Sequence, residues 1–203
     1  MSSDYLHPDQ EIQKHGDCLP HWQQEEILQF VTFRLGDALP IERVRHWKEQ
    51  RRLWLLNHPK PWNTATESDY HRKFTWTLEA WLDEGCGSCL FKNETARNHL
   101  SESLMRFQGE KVNHHAWVIM PNHVHLLFKP LIALPNLIEA WKSVSARAIG
   151  QGSIWQRNYR DTMIRDGCHF INAVRYIRNN PIKAKLPEDT FTFWQSERAA
   201  KIL

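Results

Sequence analysis

The stretch 111–128 constrains the fold more than any other: KVNHHAWVIM, then Pro-Asn, then HVHLLF. Two runs rich in branched and aromatic residues, broken by Pro121-Asn122, read as two strands joined by a tight turn or bulge, a central hairpin. Successive side chains of a strand point to opposite faces, so His123 and His125 share one face while Val124, Leu126 and Phe128 share the other. Two imidazoles on one face are either a metal site or a coincidence. With 12 His in 203 residues, chance alone supplies an HxH readily.

Around that hairpin the chain alternates in type. Residues 27–35, ILQFVTFRL, form a predicted first strand stopped by Gly36-Asp37. Over 41–57 the apolar positions Ile41, Val44, Trp47, Trp54 and Leu55 recur at helical spacing among charges, and the two prolines of HPKPWNTAT end that helix. Ser68 offers an N-cap to a second helix carrying Tyr70, Phe74, Leu78, Trp81 and Leu82, ending at Gly85. Asn93 caps a third, with Ala96, Leu100, Leu104 and Phe107 on one face. After the hairpin, 135–149 is a helix opened by Pro135, buried through Leu137, Trp141, Val144 and Ala148 and closed by Gly150. Residues 153–164 are extended, and 170–179 form a last helix that Pro181 ends.

This order is that of an α+β fold: a ferredoxin-like antiparallel sheet with helices on one face and a helical insertion after the first strand. A single domain over 1–203 is expected, with an N-terminal extension (1–26), a helical insertion (37–109) and a C-terminal tail (186–203). No internal repeat or low-complexity linker interrupts it. No apolar run approaches a membrane span, and the polar start MSSDYLHPDQ has neither a secretory nor a transit pattern, so a cytoplasmic protein is expected. Cys18, Cys86, Cys89 and Cys168 make no disulfide framework. Cys86 and Cys89 are either half of a zinc knuckle or redox pair, or two small residues in a turn after a helix.

The net charge of +3 says little, but its distribution says more. From 142 to 185 there are nine Lys and Arg against two acids, a net of +7, leaving about −4 for the rest. A basic segment of this kind suits a face that tracks phosphates, or is a scattered solvated surface. In the same segment stands YIRNNP, 176–181. Tyr176 and Asn180 are four apart and share a helix face, so a phenol and an amide oxygen reach one spot. The plainer alternative is a half-buried Tyr at a helix end with Asn as its C-cap. If the histidines hold a divalent ion, an amide oxygen completes three ligands and leaves positions for phosphate and water. Tyr176 is then a nucleophile candidate whose phenol lies about three units from ionised at pH 7, costing roughly 4 kcal/mol.

Taken together, MPNHVHLL at 120–127, Trp155-Gln156 and YIRNNPIKA at 176–184 resemble the REP-associated tyrosine transposases, a group of HUH single-tyrosine transposases. The likeness runs from VTFRL in the first strand to FWQSERA near the end. It implies the HUH endonuclease fold and metal-dependent cleavage and rejoining of single-stranded DNA at hairpins of repetitive palindromes, with Mg²⁺ or Mn²⁺ as cofactor. It further implies His123, His125 and Asn180 as metal ligands and Tyr176 as the nucleophile that takes a 5′-phosphate and frees a 3′-OH. Lys142, Arg147, Arg157, Arg160, Arg175, Arg178 and Lys183 are the positions offered for DNA contact. The expected partner is single-stranded or hairpin DNA of the nucleoid, with no membrane involved and a monomer expected before a dimer. Two departures stand out: Lys185 where such proteins often have Gly, and Arg178 where a His is common. Tyr159 is the competing nucleophile, and Trp155 is either a base-stacking or a core residue. The rival functions are a catalytically silent hairpin-DNA-binding protein and a metal-dependent phosphohydrolase that uses water.

Overall fold

A computed structural model describes residues 4–7, 9–15, 21–24 and 26–202. The chain divides into two compact units, residues 1–36 with 90–203, and residues 37–89.

The larger unit opens with a short hairpin, β1 (Gln13–His15) and β2 (His21–Gln23). Its main sheet has five strands: β3 (Gln29–Arg34), β4 (Val112–Ile119), β5 (His123–Pro130), β6 (Arg160–Met163) and β7 (Thr192–Gln195). They lie in the order β6-β3-β5-β4-β7, and every pairing is antiparallel. Without β7, the order counted along the chain is fourth, first, third, second, which is the ferredoxin-like arrangement. The hairpin β4-β5 turns on two residues, with Met120 N–H donating to His123 O (2.9 Å) across Pro121-Asn122. Strand β7 lies within the expected tail. FTFWQ alternates, but a strand of four residues at a sheet edge is hard to distinguish from a loop by pattern alone.

The smaller unit holds α1 (Ile41–Asn57), α2 (Thr64–Tyr70), a π-helical turn (His71–Thr75) and α3 (Trp76–Asp83). Asn63, not Ser68, caps α2, its Oδ1 accepting from Thr66 N–H (2.8 Å). In α1 the predicted stripe is not buried as a whole: Trp54 alone is, and Ile41 is 74% exposed. The unit's aromatic partners Trp62, Tyr70 and Phe74 gather on Trp54, leaving Ile41 without cover. Cys86 and Cys89 stand in the turn after α3, Cys89 buried with its thiol donating to Gly85 O (3.0 Å).

The helical insertion is shorter than the expected 37–109, because α4 (Glu94–Met105) belongs to the larger unit and packs beside α5 (Leu134–Ile149). Asn93 caps α4 as predicted, accepting from Ala96 N–H (3.0 Å). On α5, Leu137 and Trp141 are buried while Ala148 is exposed, and Gly150 closes the helix at φ 76°. Trp141 packs on Phe128 and His114, placing α5 on the face that carries Val124, Leu126 and Phe128. The helices are not confined to that face. Helix α6 (Gly167–Lys183) covers the other one through Phe170, Val174 and Ile177, which pack with Leu28, Ala116, Val118 and Leu127.

A β-bulge at His115 sorts β4 between these faces. Before it, His114 lies opposite Phe128 on the α5 side; after it, Ala116 lies opposite Leu127 on the α6 side. Helix α6 runs past Pro181, which stands in its last turn instead of ending it. Leu186 N–H donates to Pro181 O and Lys185 N–H to Ile182 O (both 3.0 Å), a Schellman closure with Lys185 at φ 52°. Lys185 therefore occupies the left-handed position at which glycine costs least.

Candidate functional site

The site lies on the α6 side of the sheet. Register places Thr32 of β3 opposite His125, and Arg34 opposite His123. Residues directly opposite share a face, so Thr32, Arg34 and both histidines point to the same side. Each imidazole is buried and held through Nδ1: His123 Nδ1–H donates to Asn122 Oδ1 (2.7 Å), and His125 Nδ1 meets Thr32 Oγ1 (2.8 Å). Asn122 is fixed in turn, its carbonyl accepting from Leu35 N–H (2.9 Å).

With both Nδ1 atoms engaged, the two Nε2 atoms face one another at 3.0 Å. An amide oxygen cannot donate, so the His123 proton sits on Nδ1 and its Nε2 presents a lone pair. Burial first, then the charges of Arg160 and Lys183, push the His125 pKa down to about 3. His125 is therefore neutral at pH 7, the form that ligates metals. Two ligands about 2.1 Å from an octahedral cation and at right angles stand about 3.0 Å apart. The observed separation suits such an ion.

Helix α6 supplies the rest. The Tyr176 ring meets His125 edge-on at 5.2 Å and Phe30 at 5.7 Å. Tyr176, Asn180 and Lys183 follow at helical spacings of four and three, on one stripe. Tyr176 at one end touches His125 and the charge of Lys183 at the other acts on it. Asn180 lies between them, 1% exposed, with neither Oδ1 nor Nδ2 hydrogen-bonded. A buried amide without partners costs roughly 1–3 kcal/mol, and it leaves Oδ1 open to a ligand. Among the described residues no three His, Cys, Asp or Glu side chains cluster, so a cation on the pair would draw its third protein ligand from an amide. The residues fit the group: two imidazoles oriented from behind, that of His125 neutral, and one amide oxygen with no other bond.

The predicted DNA-contact residues divide by surroundings. Arg147, Arg157, Arg160, Arg175 and Lys183 are exposed, and Arg160 lies opposite Thr32 on the site's face. Lys142 and Arg178 are occupied internally. Lys142 Nζ donates to the carbonyls of Gln156, Arg157 and Asn158 (2.8, 3.2 and 3.2 Å), and burial pushes its pKa down to about 8. The Arg178 guanidinium donates to the carbonyls of Ile202 and Ala199 and to Gln195 Oε1, tying down the tail. Trp155 is a core residue, stacked on Phe91 with Nε1–H donating to Ser145 Oγ (3.0 Å). Burial and the Asp161 carboxylate raise the Tyr159 phenol above its ordinary pKa, which disfavours it as a nucleophile.

No family model matches the chain, and no curated protein does. Among solved structures, the chain is similar to a REP-associated tyrosine transposase bound to a REP hairpin, with a TM-score of 0.45 and 15% identity over 81% of this chain and 74% of that one.

Sequence reasoning missed three participants. Asn122 and Thr32 orient the imidazoles, and Arg34 stands beside them. Asn122 was legible only as a turn residue, and Thr32 and Arg34 only as members of a strand, because their roles arise from cross-strand register. Among the described residues no helix is long and apolar enough to cross a membrane.

Proposed function

We propose that this chain is a metal-dependent single-strand DNA endonuclease and strand transferase of the REP-associated tyrosine transposase type, acting on hairpin DNA through a covalent 5′-phosphotyrosine. One observation carries this reading: Tyr176 packs edge-on against His125 of the histidine pair, one helical turn from a buried Asn180 whose side-chain amide makes no hydrogen bond. A hydrolase using water has no need of a phenol there.

His123, His125 and Asn180 would hold the cation, Mg²⁺ or Mn²⁺, which supplies Lewis-acid polarisation of a phosphate oxygen. Tyr176 does the bond-making. Its phenol oxygen attacks phosphorus as its proton passes to solvent, and the bond from phosphorus to the 3′-oxygen breaks. The departing oxygen takes a proton from water and leaves as a 3′-hydroxyl. One phosphodiester has been exchanged for another, so attack by a 3′-hydroxyl reverses the step and rejoins a strand. Asn122 and Thr32 hold the imidazoles so that both Nε2 atoms converge before any ligand arrives. The exposed Arg147, Arg157, Arg160, Arg175 and Lys183 supply positive charge for the DNA backbone. The proposed enzyme is a monomer that acts on nucleoid DNA in the cytoplasm.

The test is incubation with labelled hairpin oligonucleotides bearing single-stranded flanks and Mn²⁺, resolved on a denaturing gel. A protein-linked band that disappears in Tyr176→Phe and in His123→Ala/His125→Ala is the expected result. Cleavage without a linked band, undiminished in Tyr176→Phe, would replace the reading with a water-using hydrolase. Binding with no cut on any hairpin would leave a silent DNA-binding protein.

A further inference from the structure

Arg34 ends β3 opposite His123. Its neighbours along the strand, Phe33 and Leu35, turn to the α5 side and are buried, so Arg34 turns with Thr32 to the side of the histidines. It is half-buried there, and desolvation pulls its pKa below the ordinary guanidinium value. Among the described residues no carboxylate pairs with Arg34 and no acceptor takes a hydrogen bond from its side chain. Other half-buried or buried arginines of the same unit are placed differently. Arg97 donates to Thr192 Oγ1 and to the carbonyls of Phe91, Lys92 and Asp189, and Arg178 ties down the tail.

A guanidinium withdrawn from water without a counter-ion is costly, and five donors in a planar fork match a phosphate oxygen pair. The backbone also holds Arg34 in place. Its carbonyl accepts from Gln156 N–H (2.9 Å), and Leu35 bridges to Trp155, so β3 is pinned at this end by the segment that Lys142 secures. A residue directly across an antiparallel pair has its Cβ about 4.5–5.5 Å from its partner's, well within the reach of an arginine side chain. The anion best placed to meet Arg34 is therefore one bound at the histidine pair itself.

We propose that Arg34 is the anion clamp of this site: its guanidinium takes the non-bridging oxygens of the phosphodiester that Tyr176 attacks. The proposal rests on the strand-transfer reading for the identity of that phosphodiester, but the affinity of Arg34 for phosphate is independent of it. The clamp neutralises charge on the phosphate in the ground state and as it builds up during attack. It also sets the strand's phosphate beside the histidines instead of along the exposed basic surface.

Two measurements test this. In the first, the full chain without metal is treated with phenylglyoxal, and modification of each arginine is followed by mass spectrometry with and without inorganic phosphate. Phosphate should slow modification of Arg34 about tenfold and leave exposed Arg45 unchanged. Any result in which phosphate does not slow Arg34 overturns the clamp. This arm needs neither cleavage nor metal, so it decides Arg34 even where strand transfer fails.

In the second, Arg34→Gln and Arg34→Lys are compared with wild type in covalent adduct formation with Mn²⁺ and hairpin DNA. Arg34→Gln should form adduct about 100-fold more slowly. Arg34→Lys should recover only part of that, because lysine lacks the fork. With an uncharged methylphosphonate at the cut linkage, wild type and Arg34→Gln should agree within about threefold, and both should bind Mn²⁺ equally by electron paramagnetic resonance. An equal defect on both linkages, or lost Mn²⁺ binding, would make Arg34 a structural residue and overturn the clamp. A wild type that yields no adduct on any hairpin sinks strand transfer, and phosphate protection in the first measurement then decides Arg34 by itself.

Discussion

The two faces of the main sheet are built from alternate residues of the same strands, yet they serve different ends. On the α5 side Val31, Phe33, Leu35, Val124, Leu126 and Phe128 are fully buried beneath the apolar stripe of that helix. On the α6 side core residues such as Leu28 and Leu127 give way, towards the Pro121-Asn122 turn, to Thr32, Arg34, His123 and His125. Polar groups there are buried and oriented, and the side-chain amide of Asn180 is buried with no hydrogen bond. One face stabilises the fold. The other buries polar groups at a cost in stability, and it is the face on which the proposed chemistry would run.

The largest effect separating the faces is expected from Tyr176→Phe, which should abolish the covalent adduct while the denaturation midpoint stays within error. A midpoint shift as large as a core mutant's would show that Tyr176 belongs to the packing. On the opposite face Phe128→Ala should cost about 3–5 kcal/mol in chemical denaturation, because Phe128 is enclosed by Trp141 and His114. A cost below about 1 kcal/mol would mean that the α5 side is not the stabilising face.

Acid should expose the buried histidine of that stabilising side. Burial holds His114 at a pKa of about 4, below the ordinary value near 6.5 in the unfolded chain. The unfolded state then binds more protons between those values, so stability falls as pH drops from about 6.5 towards 4. His114→Gln should flatten that part of the stability profile, read from urea midpoints against pH. An unchanged slope would assign the acid sensitivity to other groups.

Asn180→Leu should raise the stability of the metal-free protein by about 1 kcal/mol, since it removes a buried amide without partners. It should also remove most of the thermal stabilisation that Mn²⁺ confers. A loss of stability without metal would place Asn180 among the structural residues. The smallest change is expected from Lys185→Gly, a gain of about 0.5–1 kcal/mol at the left-handed position that closes α6.

Much of the fold was legible because periodicity and turn chemistry are local. The hairpin around Pro121-Asn122, the Asn93 cap, the Gly150 stop and the strand order implied by the succession of elements all appear in the structure. Differences arise where a short local rule meets tertiary context. Proline at 181 is expected to end α6, but it sits in the last turn and is buried there. Charge alone marks Lys142 and Arg178 for DNA, yet both hold backbone carbonyls.

The sequence by itself determined that His123 and His125 share a strand face and that Tyr176 and Asn180 share a helix face, because spacings of two and four are properties of the backbone. It could not bring those two faces together. That required α6 to cover the side of the sheet opposite α5, and a bulge at His115 to sort β4 between the two sides. Only cross-strand register set Thr32 behind His125 and Arg34 beside His123, since neighbours across a sheet leave no periodic trace in the chain.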